Sequence, residues 1–129
     1  MSAMSDYLEN KILDHTLGTT AYTHPSQTYI GLSTGSFADS GSGTSELSGS
    51  NYSRVAINFD AASGGTTDNS ATVEFAAATG SWGAVSHFGL FDAASSGNLL
   101  IHGAFSAAKT ITTGDILRVA AGELDVTAA

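Results

Sequence analysis

Gly31-Leu32-Ser33-Thr34-Gly35 sets a serine between two glycines in the G-x-S-x-G spacing of a hydrolase nucleophile elbow. That chemistry needs a strand turning sharply into a helix, which lifts the hydroxyl beside an oxyanion hole. Here the motif runs instead into TGSFADSGSGTSELSGSN, residues 34–51, with no helix signal, in a chain too short for an α/β hydrolase. Ser33 is therefore expected to close a strand or turn, and no residue receives a catalytic role. His87, His102 and Asp92 form a second set. A zinc site needs three or four converging ligands, and a triad needs a base within reach of a nucleophile; nothing in their spacing fixes either, so no metal and no cofactor is expected. Asp68, Asn69, Asp92 and Asp115 fall in turn-forming runs that do not match a calcium loop, and local turn stabilisation is their expected role. Asp60 and Glu74 could act as paired carboxylates only in a register that the sequence does not give. Trp82, between Gly80-Ser81 and Gly83, could stack on a sugar ring; as the single tryptophan it is expected to anchor a core or a subunit contact.

Strands must hold these residues. From Trp82 to Val126 apolar positions recur with period two: Val85, His87, Gly89 and Phe91 fall on one face and Ser86, Phe88 and Leu90 on the other, while Leu99, Ile101 and Gly103 oppose Leu100, His102 and Ala104. Ser95-Ser96-Gly97-Asn98 and Thr113-Gly114-Asp115 supply turns, so the segment reads as an antiparallel meander of four or five strands. Strands at 27–33, 52–59 and 72–77 bring the expectation to about eight, an all-β sandwich or jelly roll. One helix is expected, at 5–17, with Ser5 or Asp6 as its cap, Glu9 in capping-box spacing and Gly18 at its end. Leu8, Ile12, Leu13 and Leu17 would form its apolar stripe, facing either its own sheet or a neighbouring subunit. Residues 34–51 read as a long Gly/Ser-rich surface loop whose large apolar side chains are Phe37 and Leu47, a segment that gains order most readily from a partner.

The length of 129 residues suits one domain, 1–129, with the helix at 5–17 and the β-sandwich at 27–127. Twelve acidic against four basic residues give a formal charge of −8, and Lys11, Arg54, Lys109 and Arg118 are scattered, so nucleic acid is not an expected partner. No apolar run reaches the ~20 residues that span a bilayer, and the first residues lack the basic and apolar regions of a signal peptide, so the expectation is a soluble protein with no membrane partner. The absence of cysteine removes disulfides, thiolate metal sites and a thiol nucleophile.

Trp82-Gly83, His87-Phe88-Gly89-Leu90-Phe91-Asp92-Ala93-Ala94, Gly97-Asn98-Leu99-Leu100, Lys109-Thr110-Ile111, Gly114-Asp115 and Ala121-Gly122-Glu123-Leu124 together resemble small virion structural proteins of tailed bacteriophages, described as head-decoration or tail-fibre-like. The resemblance extends to Tyr29-Ile30-Gly31-Leu32-Ser33-Thr34-Gly35 and Tyr52-Ser53-Arg54-Val55. It implies a structural virion component made in the host bacterial cytoplasm. The expected role is non-enzymatic decoration (cementing) of the capsid surface, with the major capsid protein as partner. Small residues suited to closed symmetric interfaces, together with capsid three-fold axes, favour a homotrimer. The expected contacts are Leu8, Ile12, Leu13, Leu17, Phe37, Leu47 and Trp82. The alternative is a tail-fibre or receptor-binding module, with the 34–51 loop and Trp82 turned toward a host glycan.

Overall fold

The computed structural model describes residues 2–41 and 45–128. Its elements in chain order are β1 (Ser2–Met4), α1 (Asp6–Thr16), β2 (Thr28–Ser33), β3 (Val55–Ile57), β4 (Thr66–Asp68), β5 (Val73–Glu74), β6 (Gly83–Phe91), β7 (Leu99–Ile111), β8 (Arg118–Val119) and β9 (Asp125–Thr127). This is an all-β fold with a single short N-terminal helix among the described residues. Five strands form an antiparallel sheet in the order β1-β7-β6-β2-β3, and two antiparallel ribbons, β4-β9 and β5-β8, accompany it.

The core lies between sheet and ribbons. Ile30, Leu32, Ile57, Val85, Phe88 and Leu90 from the sheet share one buried cluster with Val73, Val119 and Val126 from the ribbons and with Phe75 and Trp82 from the connections. Each such side chain contributes roughly 1.5–3 kcal/mol by leaving water, so the short ribbons gain their stability from this face and not from their few ladder bonds. A smaller cluster, Phe37 with Phe91 and Leu99, stands apart from it.

The meander expected at 82–126 forms only in part. β6 and β7 pair with each other, but β8 pairs with β5 and β9 with β4, because the turn at 112–115 carries the chain off the sheet and onto the ribbon layer. Strict alternation along β6 also fails. A register irregularity between Val85 and His87 puts Val85 in the same buried cluster as Phe88 and Leu90. The strands expected at 52–59 and 72–77 shrink to β3 and β5, and Ser2–Met4, which carries no period-two signal, becomes the strand β1 by pairing with Ile101, His102 and Gly103.

Ser5 caps α1. Its backbone is extended, its hydroxyl accepts from the Leu8 N–H at 3.3 Å, and the same hydroxyl donates to the Leu99 carbonyl, tying the helix start to β7. The four apolar residues do not form one stripe. At about 100° of rotation per residue, Leu13 and Leu17 stand about 140° and 180° around the helix from Leu8. Leu8 is buried, whereas Ile12, Leu13 and Leu17 are 39%, 57% and 76% exposed.

Candidate functional site

Ser33 is fully buried at the end of β2. Its hydroxyl donates to the Ser45 carbonyl at 2.9 Å and accepts from the Gly35 N–H at 3.0 Å, so it stitches the strand end to the 34–51 loop and presents no nucleophile. Gly31, the first glycine of the motif, has a steric role. A Cβ there would stand 2.7 Å from Glu46 Oε2 and 3.1 Å from the Tyr52 hydroxyl, so glycine clears space for a carboxylate.

That carboxylate belongs to a polar cluster centred on Arg54. Arg54 holds Glu46 through both oxygens, Nε to Oε2 at 2.8 Å and Nη2 to Oε1 at 2.7 Å. Its remaining Nη1 donates to the Ala93 and Ser96 carbonyls at 2.9 and 2.8 Å, and its guanidinium lies 3.5 Å from the centre of the Phe91 ring. Tyr52 donates to Glu46 Oε2 at 2.7 Å and accepts from the Leu32 N–H at 2.9 Å. Burial, reinforced by the hydrogen bond to the Glu46 carboxylate, pushes the Tyr52 phenol well above its ordinary range. The cluster thus joins the 34–51 loop, β2 and the 92–98 turn. In that turn Asp92 accepts from the Asn98 N–H at 2.7 Å and the Asn98 amide at 2.9 Å; Gly97, at φ +72°, leaves no room for a Cβ, which would meet Asp92 Oδ1 at 2.5 Å.

The histidines have separate partners. His87 meets Ser86 Oγ at 2.7 Å through Nδ1 and Ser36 Oγ at 3.4 Å through Nε2. His102 Nε2 meets Asp39 Oδ1 at 2.5 Å. Among the described residues no group of three or more histidine, aspartate or glutamate side chains is arranged to hold a metal ion. Asp115 accepts from Thr112 in its turn, and Asn69 is buried with its amide spent on the Ala71 and Ala120 carbonyls and the Leu124 N–H. Glu74 faces Arg118 across β5 and β8 at 2.9 Å.

The seven residues expected as contacts divide. Leu8, Phe37 and Trp82 face the protein's own interior. Trp82 donates to the Ser50 carbonyl at 2.9 Å and packs edge-on against Tyr52 and Phe75, so its ring is spent on the core and cannot face a glycan. Phe37 meets Phe91 edge-on at 5.8 Å between centroids, and Leu47 is half-buried against the main cluster. The described part of the 34–51 loop therefore takes its order from its own chain: Phe37, Glu46 and Trp82 supply buried partners that a count of Gly and Ser conceals. Ile12, Leu13 and Leu17 remain on the surface, as does Ile116, 53% exposed. The Arg54–Glu46 pair was missed in sequence; its one local signal was the lone arginine in the 52–59 stretch. No helix among the described residues is long and apolar enough to cross a membrane.

A family model described as podophage GP4 fiber I protein gp80 matches residues 3–127, from β1 to the last residue of β9. The chain belongs to this family. It is a structural protein of a tailed-phage virion, and the match takes in the sheet, both ribbons, the helix and the Arg54 cluster alike. No curated protein matches the chain.

Proposed function

We propose that this fiber I family member is a non-enzymatic subunit of the tail-fibre apparatus, held to a neighbouring virion protein through the exposed apolar side of α1. The observation that carries the reading is the fibre description of a family matched over residues 3–127. Between the two placements expected from the sequence, that description favours the fibre over capsid decoration. The geometry is compatible: Ser33, His87 and His102 are each engaged in local hydrogen bonds, and Leu13 and Leu17 are large apolar side chains left in water. Self-association as a homotrimer belongs to the same proposal, since closed symmetry is the usual way for such subunits to complete an interface.

Antibody labelling of purified particles, with the copy number taken from quantitative mass spectrometry, tests the placement. A few copies confined to the tail are expected. Many copies distributed over the head would replace the fibre with a shell decoration and make the major capsid protein the partner.

A further inference from the structure

We infer that a groove between β7 and the β8–β9 connection is a binding site for a neutral pyranose sugar. The groove, about 270 Å³, is lined by residues of 104–109 on one side and 117–125 on the other. Its volume lies just below the roughly 300–1,000 Å³ of small-molecule sites, which suits a ligand the size of a single sugar ring.

The opening is built by a register break. Between the Val85↔Lys109 and His87↔Ala104 pairs β6 advances two residues while β7 advances five, so part of β7 swings away from the sheet. Bulges of this kind re-aim side chains beside binding sites. Val85, Phe88, Leu117 and Leu124 from the core form the floor. Phe105 leans on Phe88 with 5.4 Å between ring centroids and is half-buried, leaving part of its ring to the groove. An aromatic face over an apolar floor suits the C–H face of a pyranose.

The rim suits the hydroxyls. Two of the four basic residues of the chain, Lys109 and Arg118, meet here with Glu123 and Asp125. Lys109 and Asp125 make no side-chain hydrogen bond or ion pair among the described residues, and Arg118 and Glu123 each spend only part of their capacity, on Glu74 Oε1 and the Ala120 N–H. Lys109 and Arg118 stand against Glu123, Asp125 and, on Arg118, Glu74, so the rim has no excess of positive charge and favours a neutral ligand rich in both donors and acceptors over an anion. The same break argues against an added strand: β1 pairs with β7 only as far as Gly103, but the free edge beyond it is bulged and makes a poor template.

The inference rests on the fibre reading only for the source of the sugar, the host envelope. Binding by the isolated chain does not depend on its place in the virion, so the two fail separately. Amide resonances of the purified full chain are followed while D-glucose, D-galactose, N-acetyl-D-glucosamine or, as an anionic contrast, D-galacturonate is added. At least one neutral sugar is expected to shift residues within 104–109 and 117–125, with D125N weakening its binding about tenfold and F105A at least as much. If F105A loses its folded spectrum, D125N carries the test alone, because that carboxylate has no partner within the described chain. No shifts, shifts confined to other regions, a response to galacturonate alone, or an unchanged affinity in D125N would each overturn the proposal.

Discussion

The 34–51 loop and the C-terminal half of α1 look, as sequence, like opposite cases. The loop is mostly glycine, serine and small polar residues; the helix has a cap, a capping-box acid and four large aliphatic side chains. Folded, they exchange places. The described part of the loop is fastened at Phe37, Ser45 and Glu46, whereas Leu13 and Leu17 reach no interior at all. Mean composition measures how much a segment can bury, but attachment depends on a few contacts and their geometry. An aromatic ring, a bidentate carboxylate and a few hydrogen bonds to its carbonyls hold this loop.

The most severe way to break this contrast is R54A. It removes two bonds to Glu46, two to the 92–98 turn and the stacking on Phe91, and leaves a carboxylate in a partly dry site. Breaking a buried pair from one side costs about 3–5 kcal/mol, so the denaturant midpoint should fall by the equivalent of about 4 kcal/mol. Amide hydrogen exchange should rise first around Leu32, Glu46 and Ser96. R54K should recover little, because an ammonium cannot bridge two carboxylate oxygens and two carbonyls at once. A loss below about 1 kcal/mol would mean that Phe37 and the bonds to Ser45 and Ser50 fasten the loop without Arg54.

The contrast also marks where the sequence was legible. The strand at 27–33, the long β6–β7 hairpin, the turn at 95–98 and the capped helix were readable, because each depends on local spacing or local turn chemistry. The pairing of β8 with β5 and of β9 with β4 was not, since partners more than forty residues apart are chosen by shared burial and leave no periodic trace. Arg54 with Glu46, only eight residues apart, and Lys109 with Arg118, which line one groove, escape for a different reason: each pair is brought together by irregular chain outside any helical or strand spacing. The helix stripe misled for a simpler reason. Leu8 and Ile12 are four residues apart, as are Leu13 and Leu17, but the two pairs sit on different sides, because Leu13 lies far around the helix from Leu8.

A milder perturbation of the loop anchor is Y52F. It deletes the hydrogen bond to Glu46 and the acceptor for the Leu32 N–H while keeping the ring that meets Trp82 and Phe75. A loss of about 1–2 kcal/mol at neutral pH is expected. The pH dependence separates this from a packing effect. The Tyr52 phenol titrates above its ordinary value near 10 because the fold buries it and its proton is held by Glu46. The unfolded chain then gives up its proton first, so this stabilisation is complete below pH about 10 and is lost as pH rises toward the folded value. Unfolding of the parent chain should become easier above pH 10, and Y52F should flatten that decline. A residual slope is expected from Tyr22, which is raised in the same direction, chiefly by burial.

The smallest effect on stability is expected at the other pole of the comparison, in the double variant L13Q/L17Q. Glutamine is nearly as good a helix former as leucine, and neither leucine is buried, so unfolding free energy should stay within about 0.5 kcal/mol of the parent chain. If α1 docks on a virion neighbour through these side chains, as proposed, the variant should fold normally yet fail to enter particles when it replaces the parent chain during infection. Point substitution is the cleaner test than removal of residues 1–17. That truncation deletes β1 from the edge of the sheet, takes Leu8 out of its buried site and removes Ser5 from its bond to β7, so loss of binding would be confounded with loss of fold. A stability loss above about 2 kcal/mol in L13Q/L17Q would show that the chain itself covers these leucines in solution. Normal folding with normal incorporation would instead move the virion contact off the helix.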